Sequence, residues 1–107
     1  MNDLTQKRCV SCEGGIPPLG KEEVERLLGQ VPGWSLSGKW ITKEFKFKNF
    51  VAAMKFVNRA GDLAEAEGHH PDIHIHYNRV RFDIWTHAID GLSENDFILA
   101  AKIDSLR

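Results

Sequence analysis

The sequence has little cysteine and almost no excess of either charge. Two of its 107 residues are cysteine, and 14 basic residues stand against 15 acidic ones, which leaves a formal net charge of -1. No run of lysine and arginine and no basic amphipathic stripe occurs anywhere in the sequence. The binding of phosphate groups requires such a concentrated positive face. Neither nucleic acid nor a membrane is therefore expected as a partner.

Long apolar stretches are also missing. None approaches the roughly 20 residues of a membrane span, and the start of the chain lacks the apolar core of a signal peptide. We therefore expect a cytoplasmic protein.

The two cysteines, Cys9 and Cys12, lack the second half of a four-ligand zinc site, so we expect no catalytic role for them. A metal clip completed by a symmetry mate is the alternative.

The beginning of the chain differs in composition from the rest. Residues up to about Gly20 have little apolar periodicity and contain the turn formers Gly14, Gly15, Pro17 and Pro18. The sequence therefore predicts an irregular tail over residues 1–19 and one domain over residues 20–107, a length common for a single domain.

In the first half of that domain the apolar spacing changes from helical to alternating. An apolar helix face ends before Pro32-Gly33, and a hairpin with its turn at Ser37-Gly38 follows. The hairpin buries Ile41, Phe45 and Phe47 on one face. The apolar helix face consists of Val24, Leu27, Leu28 and Val31.

The second half repeats this order. Asn49 is positioned to cap a helix that ends near Gly68, a hairpin with its turn at Asn78-Arg79 follows, and Ser93 with Asp96 forms a capping box for a last helix. The middle helix buries Phe50, Met54, Val57, Gly61 and Ala64.

The order of elements predicts an α+β fold of two layers: a four-stranded antiparallel sheet with three helices packed on one face, in the order α-β-β-α-β-β-α. The last helix, from Phe97 to about Leu106, is apolar around most of its circumference. Because one small sheet cannot cover all of it, we expect a subunit interface there.

All five histidines lie in residues 69–76 and at position 87, where they could be metal ligands, acid–base groups or solvated residues. His74 and His76 are spaced to chelate, but they occupy the polar face of an alternating strand and are assigned no role. His69 and His70 follow a helix-ending glycine, in a junction where side chains project into a cleft. The second hairpin returns His87, expected at a strand end, to the same place.

The pattern Glu65-xxx-His69-His70-Pro71, continued by Tyr77, His87 and Asp96, resembles that of the pterin-4a-carbinolamine dehydratase family. The resemblance implies the antiparallel sheet with helices on one side. It also implies the reaction, which is the loss of water from 4a-hydroxytetrahydropterin to give quinonoid dihydropterin. The product is then reduced for reuse by aromatic amino acid hydroxylases. The resemblance further implies that no cofactor or metal takes part in the reaction. We expect a homodimer or homotetramer.

The resemblance also implies residue roles. His69 and His87 are the general acid and base, with roles exchanged according to the face that carries the hydroxyl, because histidine's ordinary pKa near 6.5 suits both tasks. His70 positions the pterin and the departing oxygen. The substrate-binding candidates are Glu65, Pro71, Trp85 and Asp96.

Each candidate has a plainer structural explanation. Glu65 either orients His69, binds the polar edge of the pterin or is merely solvated, and Trp85 is either a pocket wall or packing. Asp96 is expected to cap the last helix even if it borders the site. Gly68 and Ile73 depart from residues common in the family, which affects the shape of the pocket.

Two other functions compete with the enzyme. One is a protein-interaction module, because animal relatives in the family also act as dimerisation partners of a transcription factor. The other is a small metal-binding domain built on the histidines.

Overall fold

The computed structural model describes residues 4–9 and 17–107. It contains three α-helices and one antiparallel sheet with the strand order β1-β2-β4-β3, which confirms the predicted α+β fold and its order of elements. Two short 3-10 helices, Leu4–Gln6 and His87–Ile89, are added to it. The main elements are α1 (Lys21–Leu28), β1 (Ser35–Ser37), β2 (Trp40–Lys46), α2 (Phe50–Glu67), β3 (Asp72–His76), β4 (Arg79–Ile84) and α3 (Glu94–Ser105).

The two central strands present their alternate side chains to the helices. In the β2–β4 pair, Ile41 lies opposite Ile84 and Phe45 opposite Val80, and all four side chains are buried, as is Phe82 between them. Alternation is what a strand with one covered face requires. This row of apolar side chains is the part of the core that the sheet contributes.

Helix α2 begins and ends where expected, but it buries a different face. The side chain of Asn49 accepts the backbone N–H of Ala52, and Gly68 ends the helix with a left-handed φ of 67°. Of the predicted face only Ala64 is buried; Met54, Val57 and Gly61 are half-buried, and Phe50 is 48% exposed and stacks on Tyr77. The buried positions are Ala53, Phe56, Ala60 and Ala64. Phe56 packs against Phe45 and Phe82 of the sheet, and the three alanines fill the rest of the contact face.

The second hairpin also differs in detail. Its turn lies at Tyr77-Asn78, one residue earlier than predicted, and Tyr77 has a positive φ of 55°. The Asn78 amide fixes the turn by donating to the carbonyl of Phe47 at 2.9 Å. Strand β4 ends at Ile84, so His87 does not end a strand but begins the 3-10 helix His87–Ile89.

Helix α3 is covered within the chain. Its residues 95–101 and Ile103 are all buried, because α1 and α2 pack beside it and the 3-10 helix Leu4–Gln6 closes its remaining side with buried Leu4. The reason for expecting a subunit interface on this helix was therefore wrong.

Other expectations are left open. The homo-oligomer stays a prediction, as does the boundary between tail and domain at residue 19. Cys12, Gly14 and Gly15 lie outside the described residues. In the described part of the chain, no helix is long and apolar enough to cross a membrane.

Candidate active site

An open pocket of about 370 Å³ lies where the end of α2, the segment after β4 and the start of α3 meet. Residues 68–72 form one wall, residues 85–88 form the other, and Asn95 closes the end. The predicted residues His69, His70, Pro71, Trp85 and His87 all line it. The structure therefore brings together in one pocket two segments that are about fifteen residues apart in sequence.

His69 leaves α2 at the left-handed glycine. The backbone N–H of His69 still bonds the carbonyl of Ala64 at 3.2 Å, which is the usual closure of a helix by a C-terminal glycine. The ring, 11% exposed, turns toward the start of α3, where its Nε2 lies 2.6 Å from Oδ1 of Asp96. A buried histidine–carboxylate pair is thus formed between α2 and α3.

Asp96 is fully buried and uses both of its oxygens. Its Oδ2 accepts the backbone N–H of Ser93 at 2.8 Å and the hydroxyl of Thr86 at 2.9 Å. The predicted capping box is confirmed. An ionised carboxylate only accepts hydrogen bonds, so a neutral His69 in this arrangement carries its proton on Nε2 and its lone pair on Nδ1.

His87 reaches the pocket from the other wall. Thr86 is fixed at the base of this segment by paired backbone bonds with Gly91, of 2.9 Å and 3.4 Å. The His87 ring lies against Trp85, with centroids 4.0 Å apart, and Trp85 in turn packs on Trp40 at 6.4 Å. Trp85 therefore both lines the pocket and supports a histidine.

His70 and Glu65 form a second histidine–carboxylate pair, which is exposed. His70 Nε2 lies 2.8 Å from Glu65 Oε1, and the two side chains are 60% and 82% exposed. Glu65 thus contacts His70 and not His69, while Asp96 is the carboxylate at His69. Because an exposed pair contributes little energy, His70 remains free to reorient.

A partly buried ion pair supports the end of α2, two residues before His69. Glu67, 8% exposed, accepts from Lys102 of α3 at 2.7 Å and from the backbone N–H of Cys9 at 2.9 Å. Burial alone would raise the pKa of Glu67, but the hydrogen bonds from Cys9 and Lys102 hold it below its ordinary value. The N-terminal segment, α2 and α3 are thereby joined beneath the pocket.

The thiol of Cys9 is held in its protonated form. Burial, followed by the negative charge of Glu67, raises the pKa of Cys9 to about 12, and the sulfur lies 3.6 Å from the carbonyl of Asn95. A thiol with so high a pKa is a poor nucleophile and a poor metal ligand.

The remaining histidines lie on the sheet face opposite the helices. His74 Nε2 lies 3.0 Å from Oδ2 of Asp83, which also contacts Arg81, and His76 is exposed on the same strand. Neither lines the pocket. Within residues 4–9 and 17–107, no three His, Cys, Asp or Glu side chains are grouped so that they could hold a metal ion.

The sequence reasoning missed Thr86, Asn95, Glu67 and Lys102. Thr86 and Asn95 directly neighbour the predicted residues His87 and Asp96, so adjacency to a site residue was the available signal. No pattern in the sequence marks Glu67 and Lys102, whose contact spans 35 positions.

Fold and pocket together define a small α+β protein with three histidines lining one cleft and a buried carboxylate against one of them. The sequence profile of a family described as pterin 4 alpha carbinolamine dehydratase matches residues 17–106, and the chain belongs to this family. The profile includes both walls of the pocket.

Known proteins resemble the chain over nearly its whole length. A protein of Nitrosospira multiformis named "Putative pterin-4-alpha-carbinolamine dehydratase" is 52% identical over 99% of this chain and 94% of its own. A protein of Rubrobacter xylanophilus with the same name is 50% identical over 99% of this chain and all of its own. A crystal structure titled transcriptional coactivator/pterin dehydratase, from Brucella melitensis, is 35% identical with a TM-score of 0.79, covering 83% of this chain and 97% of that one.

Proposed function

We propose that the protein is a 4a-hydroxytetrahydropterin dehydratase, a carbon–oxygen hydro-lyase that uses histidine acid–base catalysis. The observation that carries the proposal is the meeting of His69, His70 and His87 in one pocket, with buried Asp96 against His69. Membership of the dehydratase family supports the reaction class.

The reaction needs one proton donor and one proton acceptor. The C4a–oxygen bond breaks as the N5 lone pair forms the new double bond to C4a. The acid gives a proton to the departing oxygen, which leaves as water, and the base removes the proton from N5. Protons balance, and nothing is oxidised or reduced. Each such transfer is typically worth about 10²–10⁴-fold in rate.

His69 and His87 are the proposed acid–base pair, with roles exchanged according to the face of the pterin that carries the hydroxyl. The lone pair on Nδ1 of His69, fixed by Asp96, suits it to begin as the base. His70 positions the departing oxygen, since its exposed bond to Glu65 is readily exchanged for a substrate contact. No metal or cofactor is required by these steps.

The other proposed substrate contacts fit a flat heterocycle. Trp85 and Pro71 supply apolar surface on the two walls, and Glu65, adjacent to the pocket through His70, supplies a carboxylate for the polar edge of the pterin. Asp96 acts through His69. The volume of about 370 Å³ lies within the usual range for small-molecule sites, about 300–1,000 Å³.

The test is the loss of 4a-hydroxypterin absorbance under stopped flow. We expect the purified protein to accelerate it and the double variant H69A/H87A to be inactive. His76→Ala is the matched control, since His76 is an exposed histidine outside the pocket, and it should retain full activity. An active double variant would refute the residue assignment, and an inactive wild type would refute the reaction.

We also propose that the protein works in tetrahydropterin recycling in the cytoplasm, as a homodimer or homotetramer. The support for self-assembly is four exposed apolar side chains: Phe50 and Val51 at the start of α2, Ile75 on the edge strand β3, and Tyr77 in the turn after it, stacked on Phe50. Sedimentation of the wild type should give two or four chains, and Tyr77→Glu should lower that number. A wild type that sediments as one chain would contradict the proposal.

A further inference from the structure

Thr86 connects the two walls of the pocket. Its backbone carries His87 on one wall, and its buried side chain donates to Asp96, the partner of His69 on the other. Its backbone is held independently by the paired bonds to Gly91. A change of the Thr86 side chain therefore disturbs Asp96 without first releasing His87.

The direction of each hydrogen bond around Thr86 follows from the carboxylate. Because Asp96 Oδ2 only accepts hydrogen bonds, the Thr86 hydroxyl donates its single hydrogen bond to that oxygen, at 2.9 Å. The Ser93 hydroxyl, 2.8 Å from the Thr86 oxygen, must then donate to Thr86. The chain of donors runs from Ser93 through Thr86 to Asp96, and bonds arranged in this way strengthen one another.

We propose that Thr86 is a positioning residue of the dehydration, whose hydroxyl fixes the Asp96 carboxylate and, through it, the ring and tautomer of His69. Torsion about the carboxyl bond of aspartate is intrinsically soft. With two donors on Oδ2, rotation that would carry Oδ1 away from His69 breaks two bonds; without Thr86 only the Ser93 N–H remains. This inference rests on the proposed function.

The test compares two substitutions that divide the threonine side chain. Thr86→Val keeps the branched shape and removes the hydroxyl, whereas Thr86→Ser keeps the hydroxyl and removes the methyl. We expect T86V to lose kcat by about tenfold or more, with KM changed less than about twofold, because positioning acts on the chemical step. We expect T86S to stay within about threefold of the wild type.

Nuclear magnetic resonance of the His69 side chain gives a readout that needs no activity. The wild type and T86S should show His69 protonated on Nε2 with slow exchange of that proton, and T86V should show faster exchange or mixed tautomers. If T86V does not fold, Thr86→Cys removes the same hydroxyl in a side chain of serine shape.

Equal losses in T86V and T86S, or unchanged kcat and His69 exchange in T86V, would overturn the inference. If the wild type shows no dehydratase activity, the proposed function fails, and the His69 spectra alone then decide the role of Thr86.

Discussion

Replacing Asp96 by asparagine changes the hydrogen-bonding character of one buried atom while preserving its shape. The Ser93 N–H and the Thr86 hydroxyl both donate at the Oδ2 position, so the amide oxygen of the introduced asparagine is held there. The amide NH₂ must then occupy the Oδ1 position, 2.6 Å from Nε2 of His69. Two donors would face each other unless His69 moves its proton to Nδ1.

That tautomer loses the lone pair that Nδ1 presents in the wild type. The rate loss should therefore match the whole contribution of a general base, about 10²–10⁴-fold in kcat. Stability should change much less, by about 1–2 kcal/mol, because the bonds from Ser93 and Thr86 are kept and only their charge assistance is lost. The substitution should therefore impair activity far more than it impairs folding.

The assay is single-turnover dehydration together with the ¹⁵N shifts of the His69 ring. Asp96→Asn should reduce the rate and move the His69 proton from Nε2 to Nδ1. Asp62→Asn, an exposed position of α2, is the matched control and should change neither. An Asp96→Asn protein that keeps its rate within about threefold, or that keeps the wild-type tautomer, would refute the reasoning.

Three further predictions concern the support of the pocket. Because the pKa of Glu67 is lowered in the fold, its stabilising effect is present above the ordinary carboxyl pKa and is lost as pH falls through the lower, folded value. Glu67→Gln should therefore cost about 1–2 kcal/mol in urea unfolding at pH 7, and the gap to wild type should close as pH falls through that window. The pKa of Cys9 is raised to about 12, so in a Cys12→Ser variant Cys9 should be alkylated at pH 8 about 100-fold or more slowly than a free thiol. Alkylation at the rate of a free thiol would contradict the burial of Cys9. Gly91→Ala should destabilise the protein by about 1–3 kcal/mol, since an added Cβ would lie 2.7 Å from Pro18. Gly61→Ala is the control, because its added Cβ would meet open space and should not destabilise the protein. Equal melting temperatures of the two variants would show that the segment before α1 is not packed against Gly91.

The fold was predictable where a single local rule decides. Asn49, Gly68 and the Ser93–Asp96 pair end or begin helices by their own hydrogen bonds, so the sequence reveals them. Faces were less predictable. Spacings of three and four residues from Phe50 predicted one face of α2, but the face that packs on the sheet contains Ala53, Phe56 and Ala60.

Most contacts between distant segments could not be predicted. The apolar circumference of α3 suggested a partner subunit, and only the position of Leu4 shows that the chain covers that side itself. The same limit applies to the site. The second hairpin predicted that His69 and His87 lie close together, but the choice of Asp96 over Glu65 as the carboxylate at His69 depends on how α2 and α3 pack.

The measurement that tests the central claim most directly is dehydration of the two 4a stereoisomers, assayed separately with each single variant. If His69 and His87 exchange the roles of acid and base according to the face of the hydroxyl, His69→Ala should impair one isomer by at least about tenfold more than the other, and His87→Ala should show the reverse preference. Variants that slow both isomers equally, or a wild type that accelerates neither, would contradict the account.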